Sequence, residues 1–126
     1  LEGRHILCID DDFQILDAMD QLIAEWGATP LLSNCVDEVM ELVEEPDTPI
    51  DFIIADYHFA PDMTGLDVIE MIRKQLDRDI PSMIITGNRS ASIDQLCELA
   101  SVPILPKPVN TSNLLSIICH HLEKID

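Results

Sequence analysis

The chain has 126 residues, 47% hydrophobic and 25% charged, with 24 acids against 7 bases and a net charge of −17. That length suits one domain, spanning 1–126, with a single sizeable core, and no apolar run approaches the roughly 18–20 residues of a membrane span. Membrane-embedded and collagen-like chains are excluded, and so acidic a surface repels phosphate backbones and anionic lipid alike, which argues against direct nucleic-acid or membrane contact.

Leu1–Arg4 shows no signal-peptide pattern, and the missing initiator Met raises the expectation of a cytoplasmic segment of a longer polypeptide. His5–Ile9 is continuously apolar, as expected of a strand covered on both faces, and leads into Asp10-Asp11-Asp12. Asp12 can cap a helix carrying Phe13, Leu16, Met19, Leu22, Ile23 and Trp26, with Gly27 as its stop. Thr29–Leu32 is a weaker strand. Asn34 is placed to cap a second helix through Val36, Val39, Met40 and Val43, ending before Pro46. Asp51–Asp56 is another buried strand, and Leu66–Leu76 another helix, with Glu70 and Lys74 spaced as an i, i+4 pair. Pro81–Thr86, Ser90–Leu99 and Val102–Leu105 read as strand, helix and short strand, the last closed by Pro106. Thr111–Lys124 is the final helix, with Leu114, Leu115, Ile118 and Leu122 inward. Cys8, Cys35, Cys97 and Cys119 form no C-x-x-C pair and read as reduced thiols, and His120 and His121 as helix-end residues.

Five strands alternating with five helices predict an α/β fold, a parallel sheet with right-handed crossovers and helices on both faces. In such sheets ligands bind beyond the carboxyl ends of the strands. The residues there are Asp10, Asp11 and Asp12, then Asp56, then Thr86, then Lys107. Three carboxylates converging at one place require a counter-charge, and oxygen-only ligands favour Mg²⁺ or Mn²⁺ over zinc. Asp56, the single acid closing its own strand, is the candidate nucleophile for a phosphoryl group. Lys107 would supply fixed positive charge and Thr86 a hydrogen-bond donor. Each residue also has an ordinary structural role: Asp12 as a cap, Asp56 in a turn, Thr86 opening a loop, Lys107 solvated at the surface. Those roles account for the residues singly but not for their occurrence together. Pro106 and Pro108 flank Lys107, and the Lys107–Pro108 bond is a candidate cis site.

In the order and spacing of Asp10-Asp11, Ile53-Ile54-Ala55-Asp56, Ile84-Ile85-Thr86-Gly87 and Pro106-Lys107-Pro108, the whole chain resembles a response-regulator receiver domain, the CheY-like phosphoacceptor module of two-component signalling. The resemblance implies a doubly wound (βα)5 domain with strand order 2-1-3-4-5, and Asp56 as phosphoacceptor. It implies a metal held by Asp10, Asp11, Asp56 and the backbone carbonyl of His58, with Asp10 acting partly through water. Thr86 becomes the switch hydroxyl, Lys107 the conserved cation of the pattern, and the bond before Pro108 cis. A small Gly87 would leave room for the phosphoryl group, and His58 and Asn88 would tune its lifetime. The chain would catalyse only its own phosphorylation and dephosphorylation.

Two departures stand out. Family members commonly carry Pro four and Gly eight residues after the acceptor, whereas Pro61 and Gly65 stand five and nine away. Ile104 occupies the position of a switch aromatic and cannot reproduce its rotation. Implied partners are a histidine kinase dimerisation and phosphotransfer domain or a histidine phosphotransfer protein, docking near Gln14–Ala18, with a homodimer through the last two helices as the implied self-association. Asp56-Tyr57-His58, Thr64-Gly65-Leu66-Asp67 and Ile104 tilt the origin toward a hybrid histidine kinase over a stand-alone regulator.

Other classes fit less well. A haloacid-dehalogenase-type phosphatase matches Asp10-x-Asp12 but has Gln14 where Thr or Val is needed, and no P-loop motif exists. An EF-hand fails at Ile15 and Gln21. A docking module that works without phosphorylation is the non-enzymatic alternative.

Overall fold

The computed structural model of the chain describes residues 1–123. Strand β1, His5–Ile9, leads into helix α1, Phe13–Glu25; β2, Thr29–Ser33, into α2, Val36–Leu42; and β3, Phe52–Asp56, into α3, Gly65–Leu76. Then β4, Ser82–Thr86, precedes α4, Ala91–Leu99, and β5, Ile104–Pro106, precedes α5, Thr111–Glu123. All neighbouring strands are parallel, in the order β2-β1-β3-β4-β5. This is the doubly wound (βα)5 sheet expected. Lys124, assigned above to the last helix, and the end of the 1–126 domain lie outside the described residues.

Side-chain alternation along each strand divides the core into two layers. Leu7, Ile9, Ile53, Ala55 and Ile84 face one side, where Val39 of α2, Ile69 and Ile72 of α3, and Ile93 of α4 cover them. Ile6, Cys8, Phe52, Ile54, Met83 and Ile85 face the other, under Leu16, Met19 and Ile23 of α1 and Leu114, Ile118 and Leu122 of α5. The uninterrupted apolar run of each central strand is the signature of a sheet buried on both faces.

Local chemistry sets the helix starts. Asp12 Oδ1 accepts the Gln14 amide at 2.9 Å, and Asn110 Oδ1 that of Asn113 at 3.0 Å. Thr64 and Asp67 form a reciprocal capping box at α3. Gly27 follows α1 at φ +82, a left-handed turn that favours glycine.

Several sequence expectations shift. Asn34 does not cap α2; Cys35 is the cap, without a side-chain bond, and Glu38 instead reaches back to the Asn34 amide at 2.7 Å. Phe13 and Met40 are exposed rather than inward, and Leu115 is only half-buried. Glu70 and Lys74 do not close into an ion pair among the described residues. The last strand begins at Ile104 rather than Val102. The Val102 amide donates to the Cys97 carbonyl at 2.9 Å, which ties it to the end of α4, and Pro103 has no amide for the ladder. All four cysteines are free, and burial raises the pKa of the Cys8 and Cys97 thiols, so both behave as small hydrophobes. The His120 and His121 rings stack edge-on, 5.6 Å apart, on α5.

Candidate functional site

Strand order reverses between β1 and β3, which opens a crevice at their carboxyl ends. Ile9 is in register with Ala55, so the next residue of each strand, Asp10 and Asp56, arrive side by side. Asp10 is 5% exposed and Asp56 7%, while Asp11 faces solvent. One carboxylate oxygen from each of the three lies within 4.8 Å of the others.

Two buried carboxylates share a single cation. Lys107 Nζ stands 3.2 Å from Asp10 Oδ2 and 3.5 Å from Asp56 Oδ1. Burial raises the Asp10 pKa above the usual carboxylate value; the Asp12 amide and Lys107 oppose that shift, and the Asp56 charge adds to it. For Lys107, burial works against the ammonium, but the joint attraction of Asp10 and Asp56 outweighs it and the pKa rises. Burial thus works against the Asp10 carboxylate, while the paired carboxylates favour the Lys107 ammonium. All-oxygen donors with negative charge in excess suit a hard divalent cation, and the cluster fits such an ion.

Thr86 is fully buried at the end of β4. Its Oγ1 accepts the Asn88 amide at 3.1 Å and its carbonyl the Lys107 amide at 2.9 Å, so β4 locates the lysine backbone. The Lys107–Pro108 bond is cis. Ile104 is half-buried and packs on the core layer of α2, α3 and α4. Behind Asp56, α3 begins unusually close: a Cβ on Gly65 would lie 2.5 Å from the Asp56 carbonyl oxygen and 2.9 Å from Ile84 Cδ1. The Gly65 amide donates to the Tyr57 carbonyl at 2.8 Å, joining α3 to the end of β3.

The extra residue between Asp56 and Gly65 is absorbed locally. Ala60 and Met63 exchange backbone hydrogen bonds of 3.2 and 3.4 Å around Pro61-Asp62, and Phe59 plugs into the core. The burial of Phe59, the ring contact of Tyr57 and the close seat of Gly65 go beyond the sequence expectations; an apolar residue at the centre of a polar loop is the available signal for Phe59. His58 is exposed, its ring edge-on to Tyr57 at 5.0 Å. At Gly87 an added Cβ would meet only Lys107 Cδ at 3.9 Å, so the fold does not itself demand glycine there.

Residues 6–119 match the family model of the response regulator receiver domain. The chain belongs to the response-regulator receiver family. Members of this family accept a phosphoryl group on an aspartate beside a divalent-metal site, and that is the function of this domain. It is 24% identical over 122 residues to the transcriptional regulatory protein CitT of Halalkalibacterium halodurans, covering 94% of this chain and 52% of that protein. It is 25% identical to the two-component response regulator ARR11 of Arabidopsis thaliana, covering 97% of this chain and 23% of that one. The chain thus spans about half or less of these relatives. Among solved structures, a CheY-like receiver domain protein from Methanospirillum hungatei aligns at TM-score 0.82 and 25% identity, over 96% of this chain and 94% of that one. One from Clostridium thermocellum aligns at 0.83 and 24%, over 96% and 95%. No helix among the described residues is long and apolar enough to cross a membrane.

Proposed function

We propose that Asp56 accepts a phosphoryl group from a phosphohistidine, with Mg²⁺ held by Asp10, Asp11, Asp56 and the His58 carbonyl. What carries the reading is Lys107 set between the two buried strand-end carboxylates, Asp10 and Asp56, within hydrogen-bonding reach of both. Mg²⁺, or Mn²⁺ in its place, supplies charge neutralisation at the phosphoryl oxygens. The protein's own groups do the rest. An Asp56 oxygen approaches phosphorus in line; the P–O bond forms as the P–N bond to the donor imidazole breaks, and the imidazole leaves with that electron pair. Lys107 turns its ammonium to one phosphoryl oxygen. Thr86, whose Oγ1 already accepts the Asn88 amide, donates a hydrogen bond from its hydroxyl to another. Thr86 and the half-buried Ile104 then form the switch, with an aliphatic side chain in the position of the usual aromatic.

The donor is a histidine kinase phosphotransfer domain or a histidine phosphotransfer protein, met in the cytoplasm. A cleft of about 560 Å³ beside Lys107, lined by Ile15, Ala18, Leu22, Pro108 and Val109, is its docking surface, and Phe13, 64% exposed, projects from the start of α1. The parent protein in this reading is a hybrid histidine kinase.

The test is intact mass after incubation with a small-molecule phosphodonor, with and without Mg²⁺, for the native chain and Asp56→Asn. A Mg²⁺-dependent phosphoryl adduct absent from the variant is expected. No adduct from that donor or from a phosphohistidine protein, on a folded chain, overturns the reading in favour of phosphorylation-independent docking.

A further inference from the structure

We propose that the cleft between α3 and α4 is a docking groove for a basic amphipathic helix. The cleft holds about 430 Å³, with Tyr57, Thr64 and Leu66 on one side and Leu96, Leu99 and Ala100 on the other. Leu96 is 47% exposed and Leu99 77%, one turn apart on α4. Among the described residues, the other exposed large apolar side chains, Phe13, Leu32 and Met40, sit singly on separate elements. The stripe that α4 needs for the core is already supplied by Ile93 and Cys97. Leu96 and Leu99 thus form a second apolar edge that the fold does not consume.

Charge selects the occupant. Asp67 and Glu70 line the α3 wall, and no Lys or Arg lines the cleft. Glu70 makes no ion pair among the described residues, and Asp67 commits only Oδ2 to the Thr64 amide. Glu98 adds an exposed acid on α4. A second copy of this chain would bring the same acidic rim and a charge of −17, and anionic lipid would be repelled. A helix with apolar residues at i, i+3 and i+4 flanked by Lys and Arg satisfies both floor and rim, with the charges setting specificity and association rate. None of these residues belongs to the acceptor set, although Tyr57, between Asp56 and His58, brings the groove to its border.

The test is an amide NMR titration of the unphosphorylated chain with a synthetic peptide of about four helical turns, carrying Leu at those positions and Lys or Arg elsewhere. The control is the same peptide with Glu for each base. The basic peptide should shift Tyr57, Thr64, Leu66, Leu96 and Leu99. Leu99→Ser and Glu70→Lys, both at exposed positions, should each weaken its binding about tenfold or more, with Tm unchanged. Equal binding of the acidic control overturns the proposal, as do shifts confined to α1 and α2, or indifference to Leu99→Ser. Concentration-dependent shifts at Leu96 and Leu99 without peptide would make a second copy the occupant and also overturn it.

Discussion

Asp10 carries a burden that the chain accepts for the sake of its site. Its pKa is raised by burial above the ordinary carboxylate value, so the folded state holds its proton more tightly than the unfolded state does. The stability this confers is present below the ordinary carboxylate pKa and is lost as pH rises through the raised value. Asp10→Asn should therefore stabilise the metal-free chain near neutral pH by an amount on the order of 1 kcal/mol, an advantage that vanishes in acid. Thermal melts of native and variant across pH 3–8 (the range ~3–8 brackets carboxylate titration) check this. Mg²⁺ added at constant ionic strength should raise the native Tm and leave Asp10→Asn nearly unmoved, because binding to the native state alone stabilises by mass action. An equal response of both chains would remove Asp10 from the metal set.

The elements show what can and cannot be read without coordinates. Strands β1, β3 and β4 were legible because burial on both faces leaves an unbroken apolar run, and the rim followed from asking which residue comes next. The ends of β5 and the start of α2 were not. Both depend on which backbone amide finds which carbonyl, as when Val102 bonds back to Cys97, and composition does not reveal that. Phe13 and Met40 keep helical spacing yet face outward, because periodicity identifies a stripe without saying how wide the cover is. The residue count shows that the loop after Asp56 is one longer than usual but not the path it takes. The Ala60–Met63 pairing takes up the excess, and Gly65 still docks against the Asp56 carbonyl. Gly65→Ala should accordingly cost about 1–3 kcal/mol in chemical denaturation and slow phosphorylation by displacing the acceptor strand. Gly87→Ala, with only an ordinary contact to make, should leave stability within about 0.5 kcal/mol. If the two variants melt alike, the tight seat of α3 is not what holds Asp56.

Taken whole, the molecule is electrically lopsided: residues 1–72 carry 18 acids and one base, Arg4, whereas residues 73–126 carry six of each. The three acids of the site belong to the negative part, and Lys107 to the balanced one. Folding brings the cation across to the place where like charges crowd, which is why the site could be inferred only by joining distant segments. The same lopsidedness bears on signalling fidelity. Phosphorylated metabolites are small anions, and a chain of charge −17 repels them from a distance before any chemistry begins. A protein donor with a complementary patch would escape that barrier and deliver its phosphoryl group at contact. Phosphorylation by a small anionic donor should accordingly speed up as added KCl screens the field, while transfer from a protein donor should slow. Excess negative charge would in this way slow free anionic phosphodonors without shutting them out, and leave the advantage to a donor protein of opposite charge.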